Sequence, residues 1–213
     1  YLFGTFHALP SDLQWKSDYF KSVMERTDVT YFEADTTSAT ALLELQRGMQ
    51  QYGLNPPGVT LSSLLGEQRA IEFKKVAEEI AGVPMAQLEP LRPWLAMITI
   101  SMATFQKLGL QPSFGADMVI EQRAQQEGDE LKYLESGLSQ IKAMVSLDDM
   151  GDFAMIDETI DQMNNFEEEV NAMLSAWSKG DEQLMYESIV VGLKEVSEDA
   201  YKALFVNRNA NWV

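Results

Sequence analysis

The sequence predicts an α/β fold that is helix-rich, with a small, mainly parallel sheet and a large helical insertion. Two patterns predict it. Three short runs of β-branched and aromatic residues each end on an ionisable side chain, and the long stretches between and after them carry apolar residues at helical spacing. With 213 residues and 46% hydrophobic content, the chain can bury the core of one domain that carries such an insertion.

The first run, Tyr1-Leu-Phe-Gly-Thr-Phe6, reads as a strand buried on both faces and stopped by Pro10 and Ser11. Gly4 inside it predicts that another backbone or a ligand comes close. His7, the chain's single histidine, stands where this strand becomes a loop. Residues 15–26 place Trp15, Tyr19, Phe20, Val23 and Met24 on one helical face. A second strand, Val29-Thr-Tyr-Phe-Glu33, follows and ends on a carboxylate. A strand, a helix and a strand make a right-handed crossover with parallel strands, which puts His7 and Glu33 at the same edge of the sheet.

The insertion spans about residues 39–109, with helices expected at 39–52, 61–81 and 93–108. Breaks fall at Gly53-Leu-Asn-Pro-Pro-Gly58, Gly82-Val-Pro84 and Glu89-Pro-Leu-Arg-Pro93; Pro93 suits a first helical turn and Gly109 a C-terminal cap. A helix over 114–127 leads to the third strand, Glu130-Leu-Lys-Tyr-Leu-Glu135, which again ends on a carboxylate. The remainder reads as helices at 138–145, 155–178, 182–194 and 199–212, broken at Gly180 and Gly192. The acidic run Asp148-Asp-Met-Gly-Asp152 has neither the length nor the alternation of a calcium loop, and Glu167-Glu-Glu169 reads as a solvated helix face. The 12 methionines read as core filler.

Composition narrows the function. Sixteen basic against 33 acidic residues give a net charge of −17, which repels nucleic acid and anionic lipid. The absence of cysteine removes thiol catalysis and disulfides. The longest apolar stretch, residues 94–105, is far short of the roughly 20 residues a membrane helix needs. The sequence opens on Tyr inside a strand-like run, which suggests a signal peptide or tag removed upstream.

Open parallel sheets bind ligands beyond the carboxyl ends of their strands. His7, Glu33 and Glu135 are the groups expected there. One imidazole and two carboxylates suit a general base with orienting partners around a water molecule, or a set of metal ligands with positions left open; the spacing leaves both readings standing.

Further segments carry a family resemblance. Leu2-Phe-Gly-Thr-Phe-His-Ala-Leu-Pro10, Phe32-Glu-Ala-Asp35, Arg92-Pro-Trp94, Gly115-Ala-Asp117, Leu134-Glu-Ser136 with Gln140, Trp177-Ser-Lys-Gly-Asp181 and Asn207-Arg-Asn-Ala-Asn-Trp212 occur in this order over nearly the whole chain. In that order they resemble the TraB/PrgY/GumN family, which includes the Tiki-type Wnt proteases and is similar to the erythromycin esterase and ChaN groups. The resemblance implies that Gly4-x-x-His7 is the first of two Gly-x-x-His motifs and that Glu33 and Glu135 are acidic site residues. It also implies that Arg208 and Asn209 lie on a helix closing over the site, with Gly4, Asp117 and Asn209 in binding roles. A guanidinium such as that of Arg208 can hold a carboxylate or stabilise an oxyanion through two hydrogen bonds. The family pattern continues to a second Gly-x-x-His that this sequence does not contain, so a single TraB/GumN-like domain truncated before that motif is expected.

The function implied is hydrolysis of a peptide or small ester by water attack at a His7, Glu33, Glu135 and Arg208 site. A divalent metal (Zn, Mn or Co) held by His7, Glu33 and Glu135 belongs to the metal-dependent form of that reading. The alternative is a non-catalytic protein that sequesters a signal peptide in the helical insertion. The resemblance places the protein in the periplasm, secreted, or anchored at a bacterial membrane.

Overall fold

The computed structural model describes residues 1–149, 151 and 153–212. In chain order its elements are α1 (Asp18–Met24), β1 (Val29–Ala34), α2 (Ala39–Tyr52), α3 (Leu61–Leu65), α4 (Glu67–Lys75), α5 (Met85–Leu88), α6 (Pro93–Lys107), α7 (Ala116–Glu127) and β2 (Glu130–Glu135). Then follow α8 (Gly137–Asp149), α9 (Ala154–Met163), α10 (Phe166–Lys179), α11 (Glu182–Tyr186), α12 (Gly192–Val196), α13 (Glu198–Tyr201) and α14 (Asn207–Trp212). Single π-helical segments at Val76–Ala81, Glu187–Val191 and Lys202–Val206 follow α4, α11 and α13, and a 3₁₀ turn at Pro112–Phe114 precedes α7. The fold is helix-rich α/β with one small parallel sheet, as the sequence predicts. No described helix is long and apolar enough to cross a membrane.

The chain divides into two compact units. The first is Tyr1–Asp35 with Phe105–Ser136; the second is Thr36–Thr104 with Gly137–Val213. The first holds the sheet, in which β1 and β2 run parallel with Phe32 opposite Tyr133 and Ala34 opposite Glu135. Their side chains alternate, so Phe32, Ala34, Tyr133 and Glu135 share one face, and Tyr31, Glu33 and Lys132 the other. Helix α7 packs on the first of these faces, where the Tyr133 hydroxyl donates to the buried Glu121 carboxylate at 3.1 Å.

One expected strand is absent. Residues 1–6 form no ladder, and Tyr1 and Leu2 are exposed at 85% and 102%. The partner of β1 is β2, not the first run. β-Propensity is realised only where a neighbour offers its hydrogen-bonding edge, and this segment bonds elsewhere. The Phe6 carbonyl accepts from the Ala116 amide at 2.8 Å, and Leu9 exchanges two backbone bonds with Gln111 at 3.3 and 3.0 Å. The run is tied to the start of α7, while Phe3 packs its ring against Trp15 and Phe20.

The second unit holds the larger core, in which Leu61, Phe73, Leu88, Ile100 and Ile156 are almost wholly buried. Its helices break where the sequence reading did not place breaks. The helix expected over 61–81 splits at Gly66, whose φ of 76° a residue with a side chain adopts poorly. The one expected over 155–178 splits at Asn164 and Asn165, whose amides favour turns over helix interiors. Conversely, Gly192 lies inside continuous helix at φ −55°, and the break falls at Ser197, whose hydroxyl caps α13.

Two motif segments have structural duties in this unit. Asp148, its side chain 6% exposed, accepts from the Arg92 guanidinium at 2.9 Å and from the Trp94 amide in the first turn of α6 at 2.8 Å. The Trp94 indole in turn donates to the Tyr52 carbonyl at 3.0 Å. Asp148 is therefore a buried cap and ion-pair partner; Met150 and Asp152 of the same acidic run, like Val213, lie outside the described residues. In the segment 177–181, Gly180 caps α10 at φ 71° and Asp181 caps α11 through the Leu184 amide.

Candidate functional site

The site is assembled at the start of α7 in the first unit. Gly115 is the N-cap residue of α7, Ala116 its first and Asp117 its second helical residue. The main chain of His7 passes directly over Gly115: a Cβ there would touch the His7 carbonyl oxygen and sit 2.7 Å from its carbonyl carbon. The close backbone approach expected at Gly4 occurs at Gly115 instead, since an added Cβ on Gly4 meets nothing within 4 Å. Only glycine permits the passage at 115, and the passage sets His7 beside Asp117.

The His7 Nδ1 lies 3.1 Å from Asp117 Oδ2, with the imidazole 77% and the carboxylate 32% exposed. The other oxygen, Asp117 Oδ1, is buried and has no hydrogen-bond partner among the described residues. The carboxylate also lies in the first turn of α7, where the helix dipole favours negative charge. A carboxylate beside Nδ1 favours the tautomer protonated at that nitrogen, in which Nε2 is the basic nitrogen. The geometry supplies an oriented, accessible base.

The other expected site residues are placed as follows. Glu33 and Glu135 stand at the carboxyl ends of the two adjacent parallel strands, but the register turns them to opposite faces of the sheet. Arg208 and Asn209 belong to α14 in the second unit, where the Arg208 guanidinium lies 5.2 Å from the Trp212 ring centroid and donates to the Leu204 carbonyl at 3.1 Å. The described residues contain no group of three or more His, Asp or Glu side chains able to hold a metal ion, and His7, Glu33 and Glu135 do not make one. As placed, these three residues do not fit a metal.

The family resemblance gives Asp117 a binding role, and nothing in the sequence pairs it with His7. The two are separated by 110 positions, and no local periodicity joins them. Glu121, one turn further along α7 on the same face and buried at 4% exposure, is absent from the sequence expectations. The available signal was the i, i+4 spacing of two acids on an otherwise apolar helix face.

A histidine beside an aspartate at a helix N-terminus, on a helix-rich α/β scaffold, has the geometry that proton transfer requires. The sequence pattern of the TraB/PrgY/gumN family matches residues 1–213, and the chain belongs to this family. Among curated relatives, the uncharacterised protein YbaP of Escherichia coli (strain K12) and that of Shigella flexneri are each 23% identical over 214 residues, covering 100% of this chain and 75% of theirs. No solved structure matches the chain.

Proposed function

We propose that this member of the family is a hydrolase that directs water at the carbonyl carbon of a peptide or ester bond, with His7 as the base and Asp117 as the residue that positions it. The observation that carries the reading is the 3.1 Å contact between His7 Nδ1 and Asp117 Oδ2 beneath a mostly exposed imidazole. His7 Nε2 takes a proton from water as the water oxygen bonds to the carbonyl carbon, and the carbonyl electron pair moves onto its oxygen. As the carbonyl reforms, the imidazolium returns that proton to the leaving nitrogen or oxygen. Positioned proton transfer of this kind contributes about 10²–10⁴-fold. Glu33 and Glu135 enter as proton shuttles on family resemblance alone, a role that Gln variants would test.

The test is turnover of a panel of peptides and small esters by the purified protein, with products identified by mass spectrometry. His7→Ala is expected to lose about 100-fold or more, Asp117→Asn a smaller but clear share, and Asp117→Glu part of that loss. Equal turnover by the wild type and His7→Ala on every substrate would end the proposal.

One observation favours a second reading, peptide binding without chemistry. A cleft of about 300 Å³ lies in the second unit, lined by Leu65, Gly66, Glu67, Arg69, Glu72 and Asp157. Peptide capture that survives His7→Ala but is lost on Gly66→Val would support it.

A further inference from the structure

We propose that a groove on the first unit, away from the His7–Asp117 pair, binds the C-terminal end of a peptide: a free α-carboxylate beside an apolar side chain. The groove has a volume of about 260 Å³ and is lined by the apolar residues Phe20, Val119 and Ile120 and by the basic residues Lys16 and Arg123. Two glutamines of α7 complete it, and none of its lining residues is acidic. That is unusual on this molecule, which has 33 acidic and 16 basic residues and repels anions over most of its surface.

The cations are available. Lys16 lies 5.5 Å from the Trp15 ring centroid and forms no ion pair with a carboxylate among the described residues. Arg123 meets Glu127 through Nε alone, at 2.9 Å on the same helix, which leaves its terminal amino groups for a ligand. Exposed pairs at this spacing are worth only about 0.3–0.5 kcal/mol, so an incoming carboxylate competes with Glu127 at little cost.

The dimensions select the ligand. Drug-sized ligands occupy pockets of roughly 300–1,000 Å³, so this groove suits one or two residues. A peptide C-terminus presents a carboxylate and an apolar side chain within one residue, matching a lining of basic and apolar residues. A long acyl chain would leave most of its length in water. Six residues at 100° each turn Arg123 about 120° around α7 from Asp117, so the groove and the histidine occupy different faces of one helix. Peptide held here is bound outside the reacting centre.

The test is fluorescence anisotropy with an N-terminally fluorescein-labelled hexapeptide ending in Leu-Phe with a free carboxylate, beside the same peptide amidated at its C-terminus. Wild type is expected to bind the free acid at least about tenfold more tightly than the amide. A Lys16→Gln/Arg123→Gln double variant with an unchanged circular dichroism spectrum should lose that difference. His7→Ala should bind like wild type, which separates the groove from the hydrolase reading, since either can then fail alone. Ile120→Glu, which adds an acid to the lining, should abolish binding of the free acid. No binding by wild type, equal affinity for acid and amide, or an undiminished preference in the double variant would overturn the proposal.

Discussion

At the scale of the residue, the position with most leverage over the site is Gly115, not the histidine it supports. A methyl group at Gly115 would collide with the His7 main chain, which has no slack because Phe6 and Leu9 are tied on either side to Ala116 and Gln111. Gly115→Ala is therefore expected to displace His7 from Asp117 and lower hydrolytic turnover by about tenfold or more, with a stability loss of about 1–3 kcal/mol. Turnover and denaturant midpoint measured together check this; wild-type values in both would show that the passage over Gly115 does not position the imidazole. Asp148 is the corresponding residue of the second unit. Asp148→Ala removes one partner of the Arg92 guanidinium and uncaps the first turn of α6, a loss of roughly 3 kcal/mol. Thermal unfolding should register it as a drop of about 6–12 °C, with Asp148→Asn retaining part.

At the scale of the element, the acidic start of α10 is finely balanced. Glu167, Glu168 and Glu169 sit in its first turn, where the helix dipole favours negative charge. Glu169 is nonetheless pushed above the usual carboxylate range, by desolvation first and then by the charges of Glu158 and Glu168. A carboxyl with a raised folded-state pKa favours the folded state while it is protonated. That contribution is fully present below the unfolded-state pKa and lost as pH rises through the raised folded value. Glu169→Gln should therefore raise the melting temperature at neutral pH, with a gain that shrinks as the solution is acidified through the carboxylate range. A pH series of melting curves for the two proteins checks it, and a gain that grows on acidification would contradict the assignment.

At the scale of the whole molecule, the excess of acidic residues sets a general repulsion within each compact unit. Raising ionic strength from about 0.01 to 0.15 M shortens the Debye length from roughly 30 to 8 Å and screens that repulsion. Stability should rise over this interval, read as a higher melting temperature in sodium chloride. A flat or falling response would mean that attractive pairs such as Arg69–Asp157 and Arg92–Asp148 outweigh the net repulsion.

What the sequence determined by itself is what local patterns encode. The helix-rich α/β class, the strands at 29–33 and 130–135, the helices at 39–52 and 93–108, and family membership all rest on periodicity, caps and short motifs within a few tens of residues, and the structure matches each of these elements to within one residue. The Asn164–Asn165 break and the unbroken helix through Gly192 were less legible, because asparagine and glycine are tolerated in several backbone states and packing selects among them. Only the tertiary structure decided that residues 1–6 stay off the sheet, that Glu33 and Glu135 face opposite ways, and that His7 meets Asp117. Each depends on which backbone lies alongside which: an exposed strand-former needs a free edge, a parallel register fixes side-chain faces, and a histidine finds its carboxylate by passing over a glycine 108 residues further along the chain.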